Sequence, residues 1–110
     1  MENEATVPAG REASMTETNE TRRYLVTGRV QGVGFRWFVE HAAVQLGLAG
    51  WVRNRADGRV EVLASGPRQK LHDLYVELKK GPRASRVDNV EVEDAAPETN
   101  LKSFRIEGTW

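Results

Sequence analysis

The segment Gly28-Arg29-Val30-Gln31-Gly32-Val33-Gly34-Phe35-Arg36 joins an apolar-alternating stretch to an amphipathic one. It reads as the end of a strand, a glycine-rich loop and the first turn of a helix. Gly28, Gly32 and Gly34 permit positive φ and close backbone approach, so successive amide N–H groups can turn inward around an anion. The helix start adds N–H groups that precede its hydrogen-bond ladder, and the positive end of its dipole. Arg36 brings a permanently charged, fork-shaped donor to the mouth of this cradle, suited to bidentate contact with a phosphate or carboxylate. Turns of this kind also occur where only tight geometry is needed, and an arginine in a first helical turn is often simply solvated. The stretch alone leaves both readings open. It is neither of two familiar phosphate loops. A dinucleotide loop G-x-G-x-x-G requires glycine at position 37, which is Trp37, and a Walker A loop requires Lys-Ser/Thr where Phe35-Arg36 stands.

Working outward, Tyr24, Val26, Gly28 and Val30 share one face of a strand whose other face takes Leu25 and Thr27. Beyond the loop, Phe35, Phe38, Val39, Ala42 and Leu46 recur at helical spacing, and Gly47 supplies a stop. His41 and Trp37 lie off that stripe, where surface roles are expected. Ala49 to Asn54 and Arg59 to Ser65 read as two antiparallel strands around an Asp57-Gly58 turn. Val60, Val62 and Ala64 alternate there with Glu61, Leu63 and Ser65, the pattern of a half-buried strand. Gly66-Pro67 predicts the start of a second helix, capped by Ser65 or Gly66, with Leu71, Leu74, Tyr75 and Leu78 as its stripe and Gly81-Pro82 as its end. His72 falls on its polar side. Val87, Val90 and Val92 mark a further strand with an irregularity near Asp88-Asn89, and Phe104 and Ile106 a short last one.

The predicted order is β-α-β-β-α-β with a short fifth strand: an α+β, ferredoxin-like sandwich, its antiparallel sheet carrying both helices on one face. Right-handed crossovers place the first loop and the start of the second strand in one region of that sheet.

With 110 residues and 39% apolar content, the chain supports one domain with a single core. It has no cysteine, which excludes disulfides, thiol nucleophiles and thiolate metal sites and suits a reducing cytoplasm. Its two histidines, His41 and His72, are far apart, so neither a metal nor another cofactor is expected. Residues 1–21 hold Glu2, Glu4, Glu12, Glu17 and Glu20 against Arg11, with no periodicity and almost no large apolar side chain, and are expected to be a disordered acidic extension. They carry no secretory signal pattern, and no stretch is long enough to span a bilayer. Met15 is an alternative start. The domain is expected over 22–107, with 108–110 a short tail. Within 22–59, seven arginines (Arg22, Arg23, Arg29, Arg36, Arg53, Arg55 and Arg59) face only Glu40 and Asp57, a field that would attract a small anion. Aromatics are not interleaved with these cations as nucleic-acid stacking would require.

The glycine loop through Arg36, followed by Leu46-Gly47-Leu48-Ala49-Gly50-Trp51-Val52-Arg53-Asn54 and by Asp57-Gly58-Arg59-Val60-Glu61, resembles both signatures of the acylphosphatase family. Gly81-Pro82 with Ser85 and Val87 resembles a further family segment, and the similarity spans about 22–107. The resemblance implies a small, metal-independent, ferredoxin-like hydrolase of carboxyl-phosphate anhydrides, acting as a monomer on a small-molecule acyl phosphate, with no nucleic acid or membrane partner. Carried over by position, Arg36 would bind phosphate together with the loop residues Gln31, Gly32, Val33, Gly34 and Phe35, and Asn54 would position the attacking water. Asn54 alone, just ahead of an Asp-Gly turn, would otherwise be read as serving that turn.

Three alternatives have discriminators. An acylphosphatase-like domain of a larger carbamoyl-transfer maturation protein would resemble a long chain with Cys-rich zinc segments, and this sequence has no Cys. An RNA-recognition module needs aromatics on its third strand, where this chain has Val60-Glu61-Val62-Leu63-Ala64. A regulatory anion-binding domain would bind phosphate without turnover.

Overall fold

A computed structural model describes residues 19–98 and 100–108 of the chain. Its elements, in order, are β1 (Asn19–Arg29), α1 (Phe35–Gln45), β2 (Ala49–Asn54), β3 (Val60–Pro67), α2 (Arg68–Lys80), β4 (Arg86–Asp94) and β5 (Phe104–Glu107). The sheet order is β4-β1-β3-β2-β5. The four long strands pair antiparallel, whereas β5 joins β2 in parallel, so the sheet is mixed rather than wholly antiparallel. The fold is the expected ferredoxin-like α+β sandwich.

β3 runs antiparallel to both β1 and β2, so β1 and β2 are parallel to each other. Val60 faces Val26 on one side and Asn54 on the other. The glycine loop, which follows β1, therefore lies at the sheet end where β2 finishes. The sequence-based placement beside the start of β2 is corrected: a right-handed crossover between parallel strands aligns their like ends.

The core lies between the sheet and the helices. Tyr24, Val26 and Val30 from the first strand and loop meet Phe35, Val39 and Ala43 from α1 and Leu71, Leu74 and Leu78 from α2. Each such side chain removed from water contributes on the order of 1.5–3 kcal/mol. The stripe of α1 is turned slightly from the predicted one: Ala43 is fully buried, while Phe38, Ala42 and Leu46 pack at its margin. Tyr24 donates its hydroxyl to the Leu71 carbonyl at 3.0 Å, which anchors the first turn of α2 over the sheet. Burial pushes the Tyr24 phenol up to about 12.

Three further expectations change. β1 starts at Asn19, ahead of Arg22, because Asn19 to Thr21 pair with Pro67 to Ser65 and Glu20 bridges Arg22 and Arg68. The rest of the proposed acidic extension lies outside the described residues. Ser65 to Pro67 finish β3, and Pro67, with φ −62° and ψ 145°, stands at the N-cap of α2 without a side-chain cap. Glu61 and Leu63 are as buried as their neighbours. Trp51 lies opposite Leu63, the Arg53 guanidinium stacks 4.6 Å above the Trp51 ring, and Arg23 and Arg53 close on the Glu61 carboxylate at 3.1 and 2.9 Å.

The irregularity expected near Asp88-Asn89 is a register shift against Thr27/Gly28. There Gly28 has φ 135°, and a Cβ on it would stand 2.1 Å from the Arg86 carbonyl oxygen. Only glycine fits.

Candidate active site

The loop after β1 begins with Val30, whose side chain enters the core and pins one end. Gly32 and Gly34 then adopt φ of 75° and 79°, a left-handed geometry natural to glycine. A Cβ at either would meet nothing within 4 Å, so the backbone angle, not crowding, calls for glycine there. Val33 packs against the core and Phe35 enters it, which fixes the far end of the loop. Gly34 is the N-cap of α1, and the first helical hydrogen bond runs from Phe38 N–H to the Gly34 carbonyl at 3.1 Å. Amides of the first turn thus come before the ladder and add their dipoles to the loop.

Gln31, expected to act through its backbone amide, also uses its side chain. Its side chain turns away and donates from Nε2 to the carbonyls of Arg55 and Arg59, each at 2.8 Å. These carbonyls sit at the neck of the β2–β3 turn, where Arg55 N–H also donates to the Arg59 carbonyl at 2.8 Å. At the tip, Asp57 accepts from the Arg59 backbone and side chain and from Arg55, and the Arg59 guanidinium holds its carboxyl well below the usual range. The hairpin is closed by its own charges and tied to the loop by Gln31.

Asn54 ends β2 just before this neck. Its side-chain Oδ1 is buried and has no hydrogen-bond donor among the described residues. Arg36 reaches toward the same place and donates from Nη1 to the Glu107 carbonyl at 3.2 Å. Between them stands Gly108, with φ 114°. A Cβ on it would lie 3.5 Å from Arg36 Nη1 and 3.9 Å from the Asn54 backbone nitrogen. The two residues singled out in sequence, eighteen positions apart, flank one glycine. Glu107 and Gly108 were not singled out, since a backbone carbonyl and a missing side chain leave no signature in sequence.

The other polar candidates lie elsewhere. His41 and His72 line the groove between α1 and α2, and Trp37 is exposed on the outside of α1. Among the described residues no group of three His, Cys, Asp or Glu is placed to hold a metal ion, and no helix is long and apolar enough to cross a membrane.

The family model Acylphosphatase matches residues 22–106, which include the loop, Arg36 and Asn54. The chain belongs to the acylphosphatase family. An acylphosphatase of Cupriavidus metallidurans is 57% identical over 84 residues, covering 76% of this chain and 88% of that protein. The crystal structure of acylphosphatase from Bacillus subtilis superposes with a TM-score of 0.77 at 42% identity, over 83% of this chain and all of that one (100%). Full-length HypF in a phosphate- and nucleotide-bound form superposes with a TM-score of 0.78 at 30% identity, but the match takes up only 12% of that protein. Resemblance thus extends to the full length of a small acylphosphatase and to one segment of a much larger protein. Glu107 and Gly108 lie just past the acylphosphatase match.

Proposed function

We propose that this protein hydrolyses an acyl phosphate to a carboxylate and inorganic phosphate, with Arg36 and the amides of residues 31–36 binding the phosphoryl group and Asn54 positioning water. One observation carries this reading: Arg36 Nη1 and the Asn54 backbone both lie beside Gly108, and the Asn54 oxygen has no donor among the described residues. A phosphate seated on the loop amides lies within reach of the guanidinium on one side and of a water held by Asn54 on the other. Both residues belong to one chain, so the proposed site needs no second copy to complete it.

The chemistry needs little beyond position and charge. A carboxylate is a weakly basic leaving group, so no strong acid has to protonate it. Water attacks phosphorus in line, the bond from phosphorus to the acyl oxygen breaks, and the bonding pair leaves with the carboxylate. Negative charge on the equatorial oxygens is met by the amides and by Arg36. Asn54 accepts one hydrogen bond from the water and fixes its approach without removing the proton, which passes to a phosphate oxygen. Because no donor among the described residues holds the Asn54 oxygen, that oxygen is left to accept from the water.

The test is hydrolysis of benzoyl phosphate and acetyl phosphate in the presence of excess EDTA. Release of inorganic phosphate at an undiminished rate is expected. Phosphate binding without turnover would identify a regulatory anion-binding domain, and activity lost to chelator and restored by Mg²⁺ would contradict the proposed mechanism.

A further inference from the structure

The family match ends at residue 106, yet the two residues that follow touch Arg36 and approach Asn54. We propose that Glu107 and Gly108 form a positioning element of the phosphate site: the Glu107 carbonyl aims the Arg36 guanidinium, and Gly108 supplies the left-handed turn that carries the chain past Arg36 and Asn54 and holds that carbonyl in place. This rests on the proposed function above, since it concerns the same phosphate.

Arginine has a long side chain with large rotamer entropy, and an aimed guanidinium binds better than a mobile one. One acceptor that aims it, the Glu107 carbonyl, is neutral. Unlike a carboxylate, this carbonyl fixes direction without bringing negative charge of its own. The Glu107 carboxylate is engaged elsewhere, paired with Arg105 Nε at 2.5 Å. The carbonyl is also well held. Glu107 is the last partner in the parallel β2–β5 ladder, opposite Arg53, and Arg53 directly precedes Asn54. One rung of the sheet therefore sets the spacing of both proposed site residues. Phe104 anchors the start of the same short strand in the core.

Gly108 completes the arrangement. At φ 114° a side chain is strained, whereas its Cβ would make only ordinary contacts, 3.5 Å from Arg36 Nη1, 3.8 Å from Arg53 Cβ and 3.9 Å from the Asn54 nitrogen. A residue other than glycine would therefore shift the backbone at 108 and tilt the Glu107 carbonyl, and a branched one would in addition bring bulk against the guanidinium.

The experiment compares Gly108→Ala and Gly108→Val, each in the wild-type and the Arg36→Lys background. Melting temperature, kcat and KM for benzoyl phosphate, and the inhibition constant of inorganic phosphate are measured. Gly108→Val is expected to raise KM and the phosphate inhibition constant by about tenfold or more, the size of one lost charge-assisted hydrogen bond, with Gly108→Ala intermediate and lowering the melting temperature no more than Gly58→Ala does. In the Arg36→Lys background the same substitutions should change either constant by less than about twofold, because the fork they disturb is gone. If Gly108→Val does not fold, Gly108→Ala carries the comparison. An unchanged phosphate inhibition constant in a folded Gly108 variant overturns the proposal, as does an equal loss in both backgrounds. Full phosphate affinity in Arg36→Lys alone would instead count against the role of Arg36, and so against the proposed function.

Discussion

Gln31 and Arg55 are joined by a 2.8 Å hydrogen bond from the Gln31 side chain to the Arg55 carbonyl, and the same nitrogen donates to Arg59 at equal distance. The glycine loop and the hairpin that follows Asn54 are thereby held as one body, although they come from different parts of the chain. Gln31→Glu keeps the shape, removes both donors and sets a negative charge against two carbonyls. It is expected to lower stability by about 1–3 kcal/mol and kcat by about tenfold, with a much smaller change in phosphate inhibition, since the loop backbone is retained. Gln31→Leu, without the charge, should act in the same direction. An unchanged kcat in both would show that Asn54 is held without this tie.

Arg36 and Asn54 should fail in different ways. Arg36→Ala removes the cation from the cradle, so phosphate affinity and turnover both fall, the affinity by about 1.5–3 kcal/mol. Arg36→Lys rescues poorly, because a point charge cannot hold the Glu107 carbonyl and a phosphate in one plane. Asn54→Ala leaves the cradle intact, so phosphate inhibition persists while kcat drops by about two orders of magnitude. Wild-type kcat in folded Asn54→Ala would return Asn54 to a purely turn-forming role.

Gly28→Ala places a Cβ 2.1 Å from the Arg86 carbonyl oxygen and 2.8 Å from the Asp88 nitrogen at a positive φ. Backbone has to move apart at the bulge beside the loop, and urea denaturation should give a loss of about 3 kcal/mol or more. Gly58→Ala, at φ 93° but with open space around it, should cost about 1 kcal/mol. Equal losses would show that backbone strain alone, rather than the clash with β4, governs Gly28.

The Tyr24 phenol is raised from its ordinary 10 to about 12 by burial, and its proton is held on the Leu71 carbonyl. The folded state therefore keeps this proton where the unfolded chain releases it. The stabilisation is complete below pH 10 and is lost as pH rises from 10 toward 12. Tyr24→Phe should cost about 1 kcal/mol at neutral pH for the lost hydrogen bond, and its melting temperature should decline less steeply over that alkaline range. Parallel declines in both proteins would assign the alkaline limb to other groups.

Much of the fold was legible because each element carried its own signal. Phe35, Val39 and Leu71, Leu74, Leu78 mark helix faces by their spacing, and the Asp57-Gly58 turn marks a hairpin. Misreadings occurred where a neighbour outweighed local pattern. Glu61 looked solvent-facing in its strand, yet arginines from two other strands and from the hairpin enclose it. Pro67 looked like a first helical residue, but pairing with Asn19 extends β3 through it.

The sequence by itself determined the chemistry available: a glycine loop that can turn its amides inward, an arginine at its helix start, an asparagine at a strand end, and the family to which these belong. Such features are local, set by backbone freedom, charge and spacing within a few residues. Only the tertiary structure decided how they meet. The parallel alignment of β1 and β2 brings the loop to the end of β2 rather than its start, and the parallel addition of β5 carries the Glu107 carbonyl to Arg36 and sets Gly108 between Arg36 and Asn54. Strand register and a backbone carbonyl have no residue type of their own, so they exist only once the sheet has formed.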